Sequence, residues 1–513
     1  MENKSNSTIL KNTLFLYLRT FVSLTISLFT SRVVLQTLGI EDYGIYAVVG
    51  SVIGMFGVVQ TSMIGATSRF LTFEMGKGDL QKLQKTFSTT LTIHAIIALI
   101  LFILFETVGL WLLNTKLVIP QNRIYAANWV YQLSILATMF SIVQTPYNSC
   151  IVAHERFAFY AYMDILHTVL KLVILYLLLI GTMDKLILYG ILTVFVSILI
   201  MVLNRIYCIR HFPESQYRFI WDTHILKPIM AFSGWDVFGN LSVMARGQGV
   251  AMLINIFFGP ILNAASGIAN TVSATVSGFT NNFTLAIRPQ LIKRYAEGDI
   301  DSMSALMSEG LRFSFILQTF FSVPLICEMP YILYIWLGIV PESASIFTIL
   351  TLLFGVFGCL AGTVIIVIHA TGRIKATSII NGCIYILVIP ITYFAFKMGA
   401  PSWIPFLYNA IAISVTPLIG LYLLHLYIPK FQPMKIFRDD FLRCYLMLIL
   451  VMGVAYSPHF FIPEGWIRLI LTGSISVIMT CMYSYYFLLT KELKAKIVLK
   501  LLKLKQVWLE IIK

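Results

Sequence analysis

Residues 91–113 read LTIHAIIALILFILFETVGLWLL, a run in which Glu106 is the only formal charge. A helix rises about 1.5 Å per residue, so about 20 apolar residues suffice to cross the hydrocarbon core of a bilayer. Similar runs recur from Asn12 to Leu489, separated by short charged stretches. Backbone groups in lipid must be satisfied within the segment, and runs of this length exceed what a barrel strand of about 9–11 residues needs. Composition agrees: 58% of the 513 residues are hydrophobic and 12% charged. Soluble domains sit near about 45–50% and about 25%. The expected fold is an all-α integral membrane protein of about 14 transmembrane helices.

Working outward from 86–113, the spans fall at 13–38, 42–67, 123–150, 158–181, 185–208, 228–257, 260–287, 309–335, 343–370, 376–397, 402–428, 441–459 and 465–489. In 309–335, Pro324, Glu328 and Pro330 interrupt the pattern. The opening MENKSNSTILK is polar, and the run after it is too long for a signal-peptide core, so the first span reads as a signal anchor. With Met1–Asn12 cytoplasmic, 28 of the 37 Lys and Arg lie on the cytoplasmic side or at cytoplasmic span ends. Lys116, Arg123, Lys185, Lys397 and Arg468 lie outside; Arg19, Arg32, Lys171 and Arg246 lie within spans. That asymmetry is the positive-inside pattern, and it places both termini in the cytoplasm. The net charge of +14 is thereby explained by topology, without nucleic acid as a partner.

Two segment pairs match at nearly constant offset. LGIEDYGIYAVVGSV (38–52) with SRFLTFEMGKGDLQKL (68–83) resembles FGPILNAASGIANTV (258–272) with IRPQLIKRYAEGDIDSM (287–303). Gly39 pairs with Gly259, Gly78 with Gly298 and Asp79 with Asp299, each 220 residues apart. AHERF (153–157) resembles ATGRIK (370–375), with Arg156 and Arg373 separated by 217. A repeat of six spans keeps both copies in one orientation, an architecture of transporters. The expected organisation is an N-lobe at 1–208, a C-lobe at 209–428, a terminal pair of spans at 429–489 and a basic interfacial helix at 490–513. In that last segment Ile497, Leu501, Leu504, Trp508 and Ile511 recur at helical spacing among lysines, which suits an anionic lipid surface.

Charges inside the membrane are costly, about 2.5–3.5 kcal/mol on insertion scales, and usually face a cavity or a partner. Arg19 shares a helix face with Ser23, Ser27 and Thr30, whereas Arg32 lies about 140° away and near a span end, where it can snorkel. Asp164, His167 and Lys171 occupy one face of the fifth span, reading either as a cationic lumen lining or as an ion pair with a neighbouring helix. Arg246 sits among Gly239, Gly247 and Gly249, with Asp236 about 80° round the helix. The eighth span carries Asn263, Asn270, Asn281 and Asn282 among many Ser and Thr, chemistry matched to sugar hydroxyls. Four basic groups against Glu106, Asp164 and Asp236 favour an anionic substrate. The seven cysteines show no CxxC or Cys/His spacing for a metal or redox site, and no catalytic constellation stands out. No cofactor is expected, and no GxxxxGKS loop suggests nucleotide hydrolysis.

The stretch GWDVFGNLSVMARGQGVAMLINIFFGPILNAASGIANTV (234–272), with RPQLIKRYAEGD (288–299), WLG (336–338) before Pro341, and ATGRIK (370–375), resembles the MOP superfamily. The likeness is to its O-antigen-type oligosaccharide flippases and covers nearly the full length. It implies a bacterial inner-membrane transporter that moves a polyprenyl-pyrophosphate-linked oligosaccharide to the outer leaflet by alternating access, as a functional monomer. A polysaccharide polymerase complex is a candidate partner. Cationic lumen residues on the first and seventh spans hold the pyrophosphate in that family, and Arg19, Arg32 and Arg246 occupy those spans here. Lys171 joins them in the expected substrate site. Asp236, Asp164 and Glu106 are candidates for proton or sodium coupling, and the eighth-span asparagines for the glycan path. A peptidoglycan-precursor flippase and a multidrug antiporter share the expected fold. A polymerase or ligase fits less well, because the expected outer loops are short.

Overall fold

A computed structural model describes residues 12–23, 25–26, 37, 42, 45–46, 49, 53, 57–115, 120–180, 183–220, 222–338, 340–489 and 494. The described regular structure is helical throughout, without a strand. In chain order the main helices are α1 (Gly57–Lys77), α2 (Leu80–Leu104), α3 (Leu110–Thr115), α4 (Ile124–Ala153), α5 (Phe157–Ile180), α6 (Lys185–His211), α7 (Thr223–Phe258) and α8 (Pro260–Ala296). They continue with α9 (Ile300–Cys327), α10 (Met329–Leu337), α11 (Ala344–Thr371), α12 (Lys375–Lys397), α13 (Ile404–Tyr427), α14 (Leu442–Ala455) and α15 (Trp466–Tyr483).

Among the described residues, 11 helical segments are long and apolar enough to cross a membrane. They match every expected span except the first, second and eighth. The first two are only partly covered by the described residues. The eighth is α8, a continuous 37-residue helix whose polar side chains keep it out of the apolar set. The chain is a multi-span, all-α membrane protein, and the expected count of about fourteen accords with these helices. The expected interfacial helix at 490–513 lies outside the described residues, Lys494 excepted.

Two interruptions fall at a glutamate within an expected span. The third span runs from Leu80 to Thr115 with a π-helical turn at Phe105–Gly109, around Glu106. The Tyr131 hydroxyl donates to the Phe105 carbonyl at 2.7 Å, and a Cβ at Gly109 would meet that hydroxyl oxygen at 2.0 Å. The expected span 309–335 is α9 followed by α10, parted at Glu328. Pro330 occupies the first turn of α10, where a missing N–H costs nothing. Glu328 is buried there, and Arg468 of α15 binds it through Nη2 at 3.0 Å and Nε at 3.1 Å. Thr472 donates to the same carboxylate at 2.8 Å.

The chain forms two compact units, neither continuous in sequence. The first comprises Met1–Met244, Leu285–Asp299 and His369–Gly382. Apolar clusters around Tyr131, Phe87 and Phe157 fill it. The second comprises Ala245–Thr284, Ile300–Ile368 and Cys383–Lys513, with a core around Phe347, Ile254 and Phe406.

The paired sequence motifs adopt paired turns. Gly78 and Gly298 have φ of 74° and 79°, and each ends a helix before an aspartate that precedes the next one. The Asp79 carboxylate accepts from the Lys82 N–H at 2.9 Å, an N-cap bond. In the second motif pair, Glu155 has φ 57° and Gly372 φ 75°, and the arginine follows directly in both. Left-handed backbone suits glycine; Glu155 adopts it with its carboxylate held by Gln290 at 2.7 Å and Lys293 at 2.8 Å.

Candidate functional site

Within the first unit, the first span and α5 bring charges together. Arg19 Nε lies 3.7 Å from Asp164 Oδ2, and the Ser23 hydroxyl donates to the same oxygen at 3.3 Å. The Arg19 guanidinium also sits 5.3 Å from the centre of the Tyr160 ring. His167 and Lys171, one and two turns along α5, lie in the electrostatic field of Asp164. The ion-pair reading of this face therefore has its partner helix, the first span. Asp164 also borders a cavity of about 190 Å³ with His167, Gln144, Asn148, Ser197 and Asn204. Its side chain keeps 41% exposure there, so a paired carboxylate still meets space that water or a cation can enter.

The second unit holds Arg246 in a different setting. It is 8% exposed, and its guanidinium carbon lies 4.7 Å from the ring centres of both Phe354 and Tyr385. Nε and Nη1 find no hydrogen-bond acceptor among the described residues, and no carboxylate pairs with it there. Arginine over aromatic faces gains about 2 kcal/mol or more when desolvated. That stacking holds the cation but leaves N–H donors available, which is a setting for binding an anion.

α8 supplies a polar face in the same unit. Gly267, Asn270, Ala274 and Asn281 are exposed and lie within about 60° of one another at 100° per residue. Asn282 is turned inward and buried, beside Thr280, whose hydroxyl donates to Gln318 at 2.6 Å. The expected asparagine row thus divides: Asn270 and Asn281 line the open face, and Asn282 belongs to packing. The Asn263 side chain and Arg32 lie outside the described residues.

The other acidic candidates are separate from these two sites. Glu106 accepts from Gln132 at 3.0 Å within the π turn. Asp236 of α7 joins a cluster in the first unit that sequence pattern did not reveal. Asn240 donates to Asp236 Oδ2 at 3.3 Å and to the Ser62 hydroxyl at 2.9 Å, and His369 Nε2 lies 3.6 Å from Asp236 Oδ1. Arg288 donates to the Gly65 carbonyl at 3.2 Å beside the same carboxylate. Arg69 donates to the carbonyls of His369 at 3.1 Å and Ala370 at 3.0 Å. Arg69 and Arg288 count as ordinary flanking positive charges in a linear reading; only the pairing of α1, α7, α8 and α11 ends makes them a buried network.

No protein-family model and no curated protein sequence matches the chain. Solved structures do. An outward-facing multidrug resistance MATE family transporter of the MOP superfamily aligns with a TM-score of 0.70 at 12% identity, covering 83% of this chain and 97% of that one. A MATE structure in the bent conformation aligns with a TM-score of 0.71 at 13% identity, over 82% and 96%. A MOP superfamily transporter from Pyrococcus furiosus, described by a binding pocket of reverse polarity that suggests a different function, aligns at 0.66 with 12% identity, over 82% and 96%. The chain has the fold of these transporters.

Proposed function

We propose that this protein moves a polyprenyl-pyrophosphate-linked oligosaccharide from the cytoplasmic to the outer leaflet of a bacterial inner membrane by alternating access. The observation that carries this reading is Arg246, a buried guanidinium with aromatic support and no acidic partner among the described residues. A buried cation without a counter-ion costs several kcal/mol and attracts an anionic group that can supply one. A pyrophosphate does so with paired oxygens matched to the guanidinium fork. Asn270 and Asn281 on the open face of α8 offer donors and acceptors for sugar hydroxyls.

In this mechanism two six-span lobes, 1–208 and 209–428, rock about the bound head group while the lipid tail stays in the bilayer. Arg246 holds the pyrophosphate. Arg19, Lys171 and Arg32 belong to the same cationic path, and release of Arg19 from Asp164 would add a second contact. Asp164, open to its cavity, is the preferred site for a coupling proton or sodium ion, ahead of Asp236 and Glu106. The protein works as a monomer that delivers its cargo to a polysaccharide polymerase complex.

A second reading, export of cationic drugs, has the fold of the MATE neighbours in its favour, together with the half-open Asp164 carboxylate. Purified protein in liposomes separates the two. Translocation of a labelled polyprenyl-pyrophosphate glycan, lost with Arg246→Ala, supports the flippase. Ion-driven uptake of a cationic dye, lost with Asp164→Asn and indifferent to Arg246→Ala, supports the exporter and refutes the flippase.

A further inference from the structure

At the end of α4, Cys150 and His154 stand one helical turn apart and face Glu214 in the short helical turn Pro213–Ser215. One ligating atom from each of the three lies within 4.8 Å of the others. His154 Nε2 is in direct contact with Glu214 Oε1, and the Cys150 thiol sits 3.7 Å from the same oxygen. Cys150 and Glu214 are each 2% exposed, so a carboxylate and a thiol have been brought out of water together. Cys208 of α6 is fully buried in the same cluster, and its thiol neighbours that of Cys150.

We propose that these side chains form a binding site for a borderline-soft divalent metal ion, zinc foremost, independent of the transport path. Zinc takes sulfur at about 2.3 Å and nitrogen or oxygen at about 2.0–2.2 Å in a tetrahedron, which sets its ligand atoms about 3.3–3.8 Å apart. The Cys150–Glu214 distance falls in that range, whereas His154 Nε2 and Glu214 Oε1, now in direct contact, must part to admit the ion. Thiolate, imidazole and carboxylate form a mixed set that suits zinc better than magnesium or calcium, which prefer oxygen alone. Three protein ligands leave the fourth position of the tetrahedron to water.

The surroundings already orient the ligands. The His154 ring stacks on Phe212 at 3.9 Å with 9° between planes, which fixes the direction of Nε2. Ser215 donates from its hydroxyl to the Phe212 carbonyl at 2.8 Å and holds the turn that carries Glu214. On binding, the Cys150 thiol releases its proton, because the thiolate is the form that ligates, so affinity rises with pH. The ion would clasp the 213–215 turn to the end of α4. A linear search for CxxC misses it because the ligands come from 150–154 and from Glu214, which meet only after α5 and α6 are in place.

The test uses the full-length protein, loaded with zinc chloride, passed through a desalting column and assayed for zinc by mass spectrometry. The expected result is close to one ion per chain for the natural protein. His154→Ala and Cys150→Ser should lose it, whereas Cys383→Ser, an exposed thiol elsewhere, should keep it. Cobalt loading of the unaltered protein should give a thiolate-to-metal charge-transfer band, a readout that does not depend on any variant folding. Absence of retained zinc in the natural protein, absence of that band, or zinc undiminished in the variants would overturn the proposal.

Discussion

Arg19 and Arg246 are both arginines within membrane-spanning helices, and they keep different company. Arg19 lies 3.7 Å from Asp164, with Ser23 bonded to the same carboxylate. Arg246 lies between Phe354 and Tyr385 with two nitrogens lacking an acceptor among the described residues. A count of intramembrane charges treats the two alike. The difference teaches that the charge available to a substrate is set by what a cation already contacts, and on that measure Arg246 stands apart.

The largest expected effect comes from a reference ion pair, Glu328 with Arg468. Glu328→Ala removes the buried carboxylate that pairs with both Arg468 and His459, and among the described residues leaves Arg468 with the exposed Glu464. Breaking a buried pair from one side costs about 3–5 kcal/mol, to be read as a lowered unfolding midpoint in detergent. Arg246→Met should behave oppositely: an unpaired buried charge gives way to an apolar stem, so the unfolding midpoint stays level or rises while glycan translocation falls at least about tenfold. A midpoint lowered as far as in Glu328→Ala would make Arg246 structural and erase the comparison.

Between these two lies Asp164→Asn, which removes the carboxylate that Arg19 and Ser23 contact and whose field reaches Lys171. Loss of stability of about 1–3 kcal/mol is expected, with loss of ion-driven transport but retained binding of the pyrophosphate lipid. Full ion coupling in this variant would remove Asp164 from the mechanism. The smallest effect belongs to Asp184, which caps α6 through the Leu186 and Ile187 N–H groups at 3.0 and 3.2 Å and also binds Arg123. Partial burial raises its pKa, but the Arg123 and backbone bonds outweigh that and hold it below 3.8. A depressed carboxylate stabilises the fold above its unfolded pKa, and that contribution disappears as pH falls through the lower folded value. Asp184→Ala should therefore cost about 1 kcal/mol at pH 7, with the difference from the natural protein vanishing in strong acid. A difference that persists unchanged in acid would assign the effect to packing.

Much of the fold is legible in the linear pattern because length and hydropathy are properties of single segments. The run 91–113 reads as a span with no knowledge of its neighbours, and it is one. The matched turns are legible for a local reason as well: Gly78 and Gly298 mark backbone that needs φ above zero. Legibility fails where a residue's meaning lies in another helix. The span 260–287 is legible despite its polarity, but the division of its asparagines between the open face and the packing side depends on what covers them. Arg69 and Arg288 resemble cytoplasmic flank charges until α1, α7, α8 and α11 meet. Glu328 reads as a flaw in a span, and the fold makes it the anchor of Arg468. The same limit hid the Cys150, His154 and Glu214 cluster.

The central claim is that Arg246 is the cation held for a pyrophosphate. Its most direct test is equilibrium binding of a polyprenyl-pyrophosphate lipid to the purified protein, compared with Arg246→Ala and Arg246→Lys. The account predicts about 10- to 150-fold weaker binding for alanine, the loss of a charge-assisted hydrogen bond or two, and an intermediate value for lysine, which keeps charge but lacks the planar fork. Equal affinity in all three proteins, with each folded, would contradict it.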